Sequence, residues 1–440
     1  MSARLKRHVI YFFIVFVLFS VARLEIDFIS KYVRIESAFF NFDYLLIFAT
    51  PWPSVAFVII FLIDVLWGIC RGGFWGISDL PVIMENSLHF GFFGLLALTT
   101  FIGVLFFNIL VLTLIARRFS RFIPGRKDVI FIFFAISTPL MMIRTTLPDG
   151  LNSLFGSQSA SFIKNILTNN FYQEMFFGGT AKFEKKANFS LLKVDDLTNK
   201  RILLVIFESW GLDNNGHYIS MVKKHFSNKK IEITNGSFKG PTVYGELREL
   251  CSAIPTSLNI SITPGDCLPE YAKKNGFITT AFHGNSAAFY RRDRWMGGVG
   301  FDFFYDRNLI LQKNPDARTF LNPQFNSISD EYMMRFIGDM AAMRNAQKEF
   351  YYFLSLDSHG PYKTTPNSDC NFSDQFRGEL CDYFQKIDTT LSLISEFSAK
   401  NPDFKIFVIG DHNPYLLANE SNINLFSKSQ VPAFIVHPSR

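Results

Sequence analysis

Long, nearly unbroken apolar runs occupy the first third of the chain. From about Lys200 onward they give way to short apolar stretches that alternate with segments of helical spacing. Four segments belong to the first regime: about Val9 to Ala22, Tyr44 to Cys70 (interrupted by Pro51 and Pro53), Leu88 to Ala116, and Val129 to Ile143. The third exceeds the roughly 20 apolar residues that cross a bilayer as a helix. The first follows Arg4, Lys6 and Arg7, but no small-residue cleavage site succeeds it and further apolar segments do, unlike a secretory leader. Arg117, Arg118, Arg121, Arg126 and Lys127 lie between the third and fourth segments. Such clusters stay on the cytoplasmic side, as does a basic N-terminus, so an even number of crossings must separate the two. A further weak crossing between Gly72 and Leu95 satisfies that parity. The expectation is a membrane domain of about five helices over residues 1–145, with everything after Arg144 outside the cytoplasm. Residues 146–200, rich in Phe155, Phe162, Ile163, Ile166, Leu167, Phe171, Phe176 and Phe177, read as an amphipathic juxtamembrane linker. An ordinary interdomain helix is the alternative.

Over residues 201–440 the alternation of strands and helices predicts an α/β domain with a largely parallel sheet. The expected strands are Ile202–Phe207, Phe277–Phe282, Phe350–Leu356, Lys405–Ile409 and Ala433–His437. Four of them run directly into residues able to ligate a metal: Glu208, His283, His359, and the pair Asp411 and His412. Open α/β sheets bind ligands at the carboxyl ends of their strands, so one shared site is the economical explanation. Taken singly, each residue has an ordinary reading as a cap or a hydrogen-bonded structural group.

Carboxylates and imidazoles without thiolate suit one divalent metal ion such as Mn or Zn. An ion of that kind lowers the pKa of a bound hydroxyl and activates Ser or Thr as a nucleophile. Thr242, at the head of a stretch with amphipathic helical spacing that runs to Cys251, fits the role. A helix N-terminus there would favour a phosphoryl group. A plain helix cap is the other reading of Thr242.

Composition adds two constraints. The net charge of +6 lies largely beside the apolar runs and forms no basic and aromatic stripe, which argues against nucleic acid as a partner. Of the five cysteines, Cys70 closes an apolar run, while Cys251 with Cys267 and Cys370 with Cys381 form two closely spaced pairs. Neither pair has the spacing of a zinc knuckle. Two local disulfides, Cys251–Cys267 and Cys370–Cys381, are expected instead, in an oxidising compartment.

With these residues in view the chain resembles a branch of the alkaline-phosphatase superfamily, sulfatase-like in fold. That branch holds lipoteichoic acid synthase, the phosphoglycerol transferases of periplasmic glucans and the lipid A phosphoethanolamine transferases. Phe-Glu-Ser-Trp-Gly at 207–211 is similar to the family's first metal motif and implies Glu208 as a ligand. Thr-Val-Tyr-Gly-Glu at 242–246 resembles the nucleophile segment and implies Thr242, itself also on the metal. Gly-Asp-His at 410–412 resembles the last metal motif and implies Asp411 and His412. The segment 282–293, Phe-His-Gly-Asn-Ser-Ala-Ala-Phe-Tyr-Arg-Arg-Asp, looks most like the synthase and implies His283 and Arg292 around the phosphate. Asn285 stands in that pocket where the synthase has an acidic residue. Ser-His-Gly-Pro-Tyr at 358–362 implies His359 as a phosphate contact or proton carrier, a role open to His283 as well.

The resemblance implies a phosphotransferase in a bacterial cytoplasmic (inner) membrane, multi-pass, with its catalytic domain facing the periplasm or exterior. The donor would be a membrane phospholipid, phosphatidylglycerol favoured over phosphatidylethanolamine, and the acceptor a cell-surface glycan. Phosphoethanolamine transfer to lipopolysaccharide or another glycan, transfer to water, and a non-catalytic lipid- or glycan-binding protein are the competing readings. A sulfatase nucleophile needs Cys or Ser, then Pro two residues on and Arg two further. Cys251 has its proline only at Pro255 and no such arginine.

Overall fold

The computed structural model describes residues 190–439 apart from short gaps, the longest being 256–266, 363–377 and 415–424. Before residue 190 it describes 40–41, 46, 55–61, 127–131, 155–156 and 183–185. The chain divides into two compact units, residues 1–180 with 257–259, and residues 181–256 with 260–440. In the first unit, 55–61 and 127–131 are helical and Phe40–Asn41 pairs in parallel with Phe155–Gly156. The apolar segments expected to cross a membrane, and most of the expected linker, lie outside the described residues. Among the described residues no helix is long and apolar enough to cross a membrane.

The second unit is built on one seven-stranded sheet. Its strands are β1 (Arg201–Phe207), β2 (Ile231–Ser237), β3 (Ile278–His283), β4 (Phe303–Tyr305), β5 (Glu349–Leu354), β6 (Lys405–Gly410) and β7 (Gln430–Val436). They stand in the order β2-β7-β6-β1-β5-β3-β4. Pairings from β6 through β4 are parallel, and only β7 runs against its neighbours on both sides, so the sheet is mostly parallel as expected. Every residue of β1 and β5 is buried, the mark of central strands covered on both faces. β2 and β4 were not among the expected strands. β2 carries Asn and Gly and is only half-buried, as an edge strand can be, and β4 is three residues long.

Among the described residues of this unit the α-helices are α1 (His217–His225), α2 (Thr242–Cys251), α3 (Leu268–Lys274), α4 (Arg292–Trp295), α5 (Arg307–Lys313), α6 (Asp330–Met343) and α7 (Glu379–Lys400). Leu203, Val205 and Phe207 of β1 share one core with Met221 and Val222 of α1, Met333 and Ile337 of α6, and Ile387 and Ile394 of α7. The alternate residues Ile202, Leu204 and Ile206 are fully buried on the opposite face. Helix α2 lies on that face, because its Glu246 accepts a hydrogen bond from Tyr352 of β5, the register partner of Leu204. Burial of each such large apolar side chain contributes about 1.5–3 kcal/mol.

Helix α2 departs from the amphipathic expectation in an informative way. Nine of its ten residues are buried, and its charged side chains are paired inside the protein rather than solvated. Arg248 donates to Glu249 at 2.5 Å and to the carbonyls of Ser237 and Gly410 at 2.7 and 2.9 Å. The Cys251–Cys267 disulfide is present and ties the end of α2 to the cap of α3. Cys381 is also disulfide-bonded, while Cys370 lies outside the described residues.

Two glycines set how closely the site's segments approach. A Cβ at Gly245 would fall 2.7 Å from Asp411 Cβ and 3.0 Å from its Cα, so α2 rests on the backbone that follows β6. A Cβ at Gly410 would meet the Trp210 carbonyl oxygen at 2.1 Å. Gly245→Ala is therefore expected to lower stability by about 1–3 kcal/mol, the usual cost of overpacking against backbone. Thermal unfolding of the purified variant checks it, and an unchanged midpoint would contradict the close packing of α2 on Asp411.

Candidate metal and phosphoryl-transfer site

The register of the sheet aligns the strand ends. Gly410 of β6 is paired with Phe207 of β1, and Leu354 of β5 with Ile206 on one side and His283 on the other. The residues immediately beyond these positions, Glu208 and Asp411, therefore emerge side by side at the carboxyl edge of the sheet. Ser209 adopts a left-handed conformation (φ 56°), a costly one for a residue other than glycine. Its amide then donates to Asp411 Oδ1 at 2.7 Å, and the His412 amide donates to the same oxygen at 2.6 Å.

Glu208, Asp411 and His412 each present one ligand atom, and these atoms lie within 4.8 Å of one another, all buried. His412 Nδ1 sits 2.8 Å from the Asn413 carbonyl oxygen, which can only accept, so Nδ1 carries a hydrogen. Nε2 is thereby turned into the cluster, 3.4 Å from Glu208 Oε1 and 3.3 Å from Asp411 Oδ2. Asp411 Oδ2 is buried and accepts no hydrogen bond among the described residues. A carboxylate oxygen left without a donor, a second carboxylate and an imidazole aimed at the same point fit a divalent cation.

Thr242 enters this cluster from α2. It is the first residue of the helix, after Pro241, and is 5% exposed. Its Oγ1 donates toward Glu208 Oε2 at 3.1 Å and Oε1 at 3.3 Å, and lies 3.3 Å from His412 Nε2. The hydroxyl thus lies against two of the three ligands, Glu208 and His412, at the positive end of a helix dipole.

The charges of the cluster are interdependent. Burial pushes the Glu208 carboxyl up, but hydrogen bonding to His412, the charges of His359 and His412, and the Thr242 hydroxyl hold it at about 2. Burial and the neighbouring Glu208 charge push Asp411 up to about 8. His412 is lowered by burial, yet Asp411 and Glu208 carry it up to about 9. Without a cation the site therefore retains protons through neutral pH, balancing its carboxylates.

The remaining expected residues divide into two groups. His359 stands at the rim, 27% exposed, with Nε2 4.0 Å from Glu208 Oε1 and Nδ1 on the Gly360 carbonyl at 2.5 Å. Its loop is fastened directly to Glu208: the Glu208 amide donates to Ser355 Oγ at 2.9 Å, and Ser358 Oγ donates to the Glu208 carbonyl at 2.5 Å. His283 is buried, and its Nδ1 lies 3.2 Å from the Leu354 carbonyl. Burial and the nearby Arg292 charge lower it to about 3, so it is a neutral imidazole near pH 7. In this environment the ring is a neutral hydrogen-bonding group, whereas His359 stands at the accessible rim.

Asn285 is buried and its Oδ1 accepts from the Ser286 amide at 2.7 Å, while its carbonyl accepts from the Arg307 amide at 3.1 Å. Arg292 is 1% exposed and bound to Glu246 through Nε at 3.0 Å and Nη2 at 2.7 Å. Glu246, Tyr352, Ser355 and Ser358 carried no expected role. Glu246 had one legible signal, its position four residues after Thr242 on a helix. The two serines had none, since a hydroxyl that holds a neighbouring strand's backbone looks like any serine in a loop.

Residues 242–440 match the family model described as Sulfatase. No curated protein is similar enough to the chain to count as a match. Among solved structures the chain is similar to the lipoteichoic acid synthase LtaP from Listeria monocytogenes, at 22% identity and a TM-score of 0.42, covering 58% of this chain and 68% of that one. It is also similar to the phosphoglycerol transferase GacH of Streptococcus pyogenes, in complex with sn-glycerol-1-phosphate (17%, TM-score 0.39, 57% and 77% covered). A third is the C-terminal periplasmic domain of EcEptC from Escherichia coli in complex with Zn (15%, TM-score 0.37, 59% and 76% covered). Residues 242–440 thus match the sulfatase family model, and the described central sheet of this half of the chain is mostly parallel.

Proposed function

We propose that this chain is a metal-dependent phosphotransferase that moves a phospholipid head group, phosphoglycerol in the first instance, to a cell-surface glycan through a phosphothreonine at Thr242. One observation carries the reading: at a buried helix N-terminus the Thr242 hydroxyl lies against Glu208 and His412, two members of the cluster they form with Asp411. A threonine that merely capped its helix would have no reason to face two ligating groups. A sulfatase-type nucleophile is disfavoured further by Cys251, whose sulfur is committed to Cys267.

Glu208, Asp411 and His412 would hold one Mn or Zn ion, with Thr242 Oγ1 directed at it. Bound there, the ion would supply a Lewis acid that favours the alkoxide form of threonine and offsets phosphoryl charge. Thr242 Oγ1 attacks the phosphorus of the donor lipid in line, and the bond to the diacylglycerol oxygen breaks. His359, at the accessible rim, gives that oxygen its proton. An acceptor hydroxyl then attacks the phosphothreonine, returns its proton to His359 and frees Thr242. His283 and Asn285 line the head-group side as neutral groups. The apolar segments over residues 1–145, read as an inner-membrane anchor with the catalytic domain outside, would keep the site beside its lipid donor.

Thr242→Ala is expected to lower head-group transfer by roughly 10³-fold or more, as loss of a nucleophile does. Incubation of the full chain with labelled phosphatidylglycerol and phosphatidylethanolamine measures both donor and variant. Transfer from phosphatidylglycerol is expected to exceed transfer from the other lipid, and inertness toward both with metal present would end the donor assignment. Intact-mass measurement of the parent is expected to find a glycerol-phosphate adduct on Thr242.

The raised pKa values of Asp411 and His412 give the metal a pH dependence of known sign. Both must be deprotonated to ligate. Affinity for Mn or Zn is therefore expected to strengthen as pH rises toward about 8 to 9, by roughly tenfold per pH unit for each proton displaced. The stability of the metal-free protein moves the other way. The contribution of protonated His412 is complete below its ordinary 6.5 and is lost as pH passes about 9. A chelator-competition titration across this window checks the affinity, and a flat profile would contradict the ligand assignment.

A further inference from the structure

Beneath the nucleophile lies a second buried cluster that the proposed mechanism does not use. Glu246 is fully buried on α2, four residues and one helical turn after Thr242, so the two side chains share a face of the helix. Its Oε1 accepts from the Tyr352 hydroxyl at 2.7 Å and from Arg292 Nε at 3.0 Å, and its Oε2 accepts from Arg292 Nη2 at 2.7 Å. Arg292 Nη1 donates to the Phe289 carbonyl at 3.1 Å. Arg292 is thus clamped along one edge of its guanidinium by a carboxylate that is itself held by the central strand β5.

A guanidinium has five N–H groups in a fixed planar fork. Glu246 takes the Nε and one Nη2 hydrogen, and Phe289 takes one on Nη1. One hydrogen on each Nη nitrogen is left without a partner among the described residues. Guanidinium hydrogens of this kind, one on each Nη nitrogen, can donate to the oxygens of a phosphate. The Arg292 charge also reaches the nucleophile's surroundings, since His283 feels both Arg292 and Glu208.

We propose that Glu246 is a positioning residue for phosphoryl transfer: it fixes Arg292 with its remaining Nη hydrogens presented to the donor phosphate, at a distance from Thr242 set by one turn of α2. The inference rests on the reading of Thr242 as nucleophile and adds the means by which nucleophile and phosphate clamp are kept in register. Misplacement of a clamp by an ångström is enough to cost about 100-fold in rate. A purely structural ion pair would need no leftover donor hydrogens and no place on the nucleophile's own helix.

The test is a double-mutant cycle on the full chain in detergent with Mn present, using Glu246→Gln, Arg292→Gln and the double variant. Each single substitution is expected to lower kcat/KM for head-group transfer by about 100-fold, with thermal stability reduced because one buried charge is left alone. In the double variant the two amides can bond to one another, so stability is expected to return toward the parent while turnover stays at the level of Arg292→Gln alone. Recovery of turnover together with stability would overturn the proposal, because the pair would then be structural only. Losses that multiply would also overturn it, since Glu246 would not be acting through Arg292. Should either single variant fail to fold, the double variant still separates recovered turnover, which overturns the proposal, from turnover that stays low, which supports it. Binding of inorganic phosphate to the same Mn-loaded proteins, measured calorimetrically, separates this inference from the head-group reading. Phosphate affinity is expected to fall about tenfold or more in Glu246→Gln and Arg292→Gln, one charge-assisted contact being worth about that much. If it falls while the parent transfers no head group, the positioning role stands and the donor assignment does not. If Glu246→Gln binds phosphate as the parent does, the positioning role is wrong.

Discussion

Two carboxylates, an imidazole and a hydroxyl are buried together, and the rest of the domain is arranged around the cost of keeping them there. Isolated charges in such a setting are strongly unfavourable and must be paired, protonated or bound to a cation. The protein meets this partly with backbone: the amides of Ser209 and His412 both converge on Asp411 Oδ1. Asp411 Oδ2 has no donor among the described residues, which leaves the compensation incomplete without a proton or an ion. The left-handed Ser209 and the two close glycines, Gly245 and Gly410, are local strains and omissions that this convergence requires.

Around that cluster the fold places a shell of buried polar groups, each of which fixes a backbone or a side chain. Ser355 and Ser358 hold the peptide groups on either side of Glu208, so the loop carrying His359 and the first ligand move together. Arg248 holds the carbonyl of Gly410, immediately before Asp411. Glu246 joins α2 to Arg292 and to Tyr352 of the central strand. Rigid support of this kind is what a site needs if its reacting groups are to be preorganised rather than assembled on demand. It also explains why α2, which carries the nucleophile candidate, is buried nearly all round although its sequence alternates polar and apolar residues.

The electrostatics divide the four histidine and arginine positions into distinct chemical types that residue identity alone does not separate. His412 is held cationic or on a metal by its carboxylate neighbours, whereas His283, no less buried, is held neutral by desolvation and Arg292. His359 is the one left at an accessible edge, where exchange of a proton with substrate is geometrically open. Arg292 keeps its charge through Glu246 rather than through solvent.

By itself the sequence determined the type of sheet, the central strands and the residues at their carboxyl ends. Ile202–Phe207 and Ile406–Ile409 are continuous apolar runs that a doubly covered strand buries, and the polar residues that follow must then surface at the sheet's edge. It also determined the pairing of Cys251 with Cys267, through closeness in the chain. Only the tertiary structure decided which polar residues are spent on one another. That Glu246 faces Arg292, that Ser355 and Ser358 grip Glu208, and that His283 loses its charge while His412 gains one are all set by contacts between segments far apart in the chain. Such contacts leave no periodicity to read, because a hydrogen bond or a field acts on distance in space and is indifferent to distance along the chain.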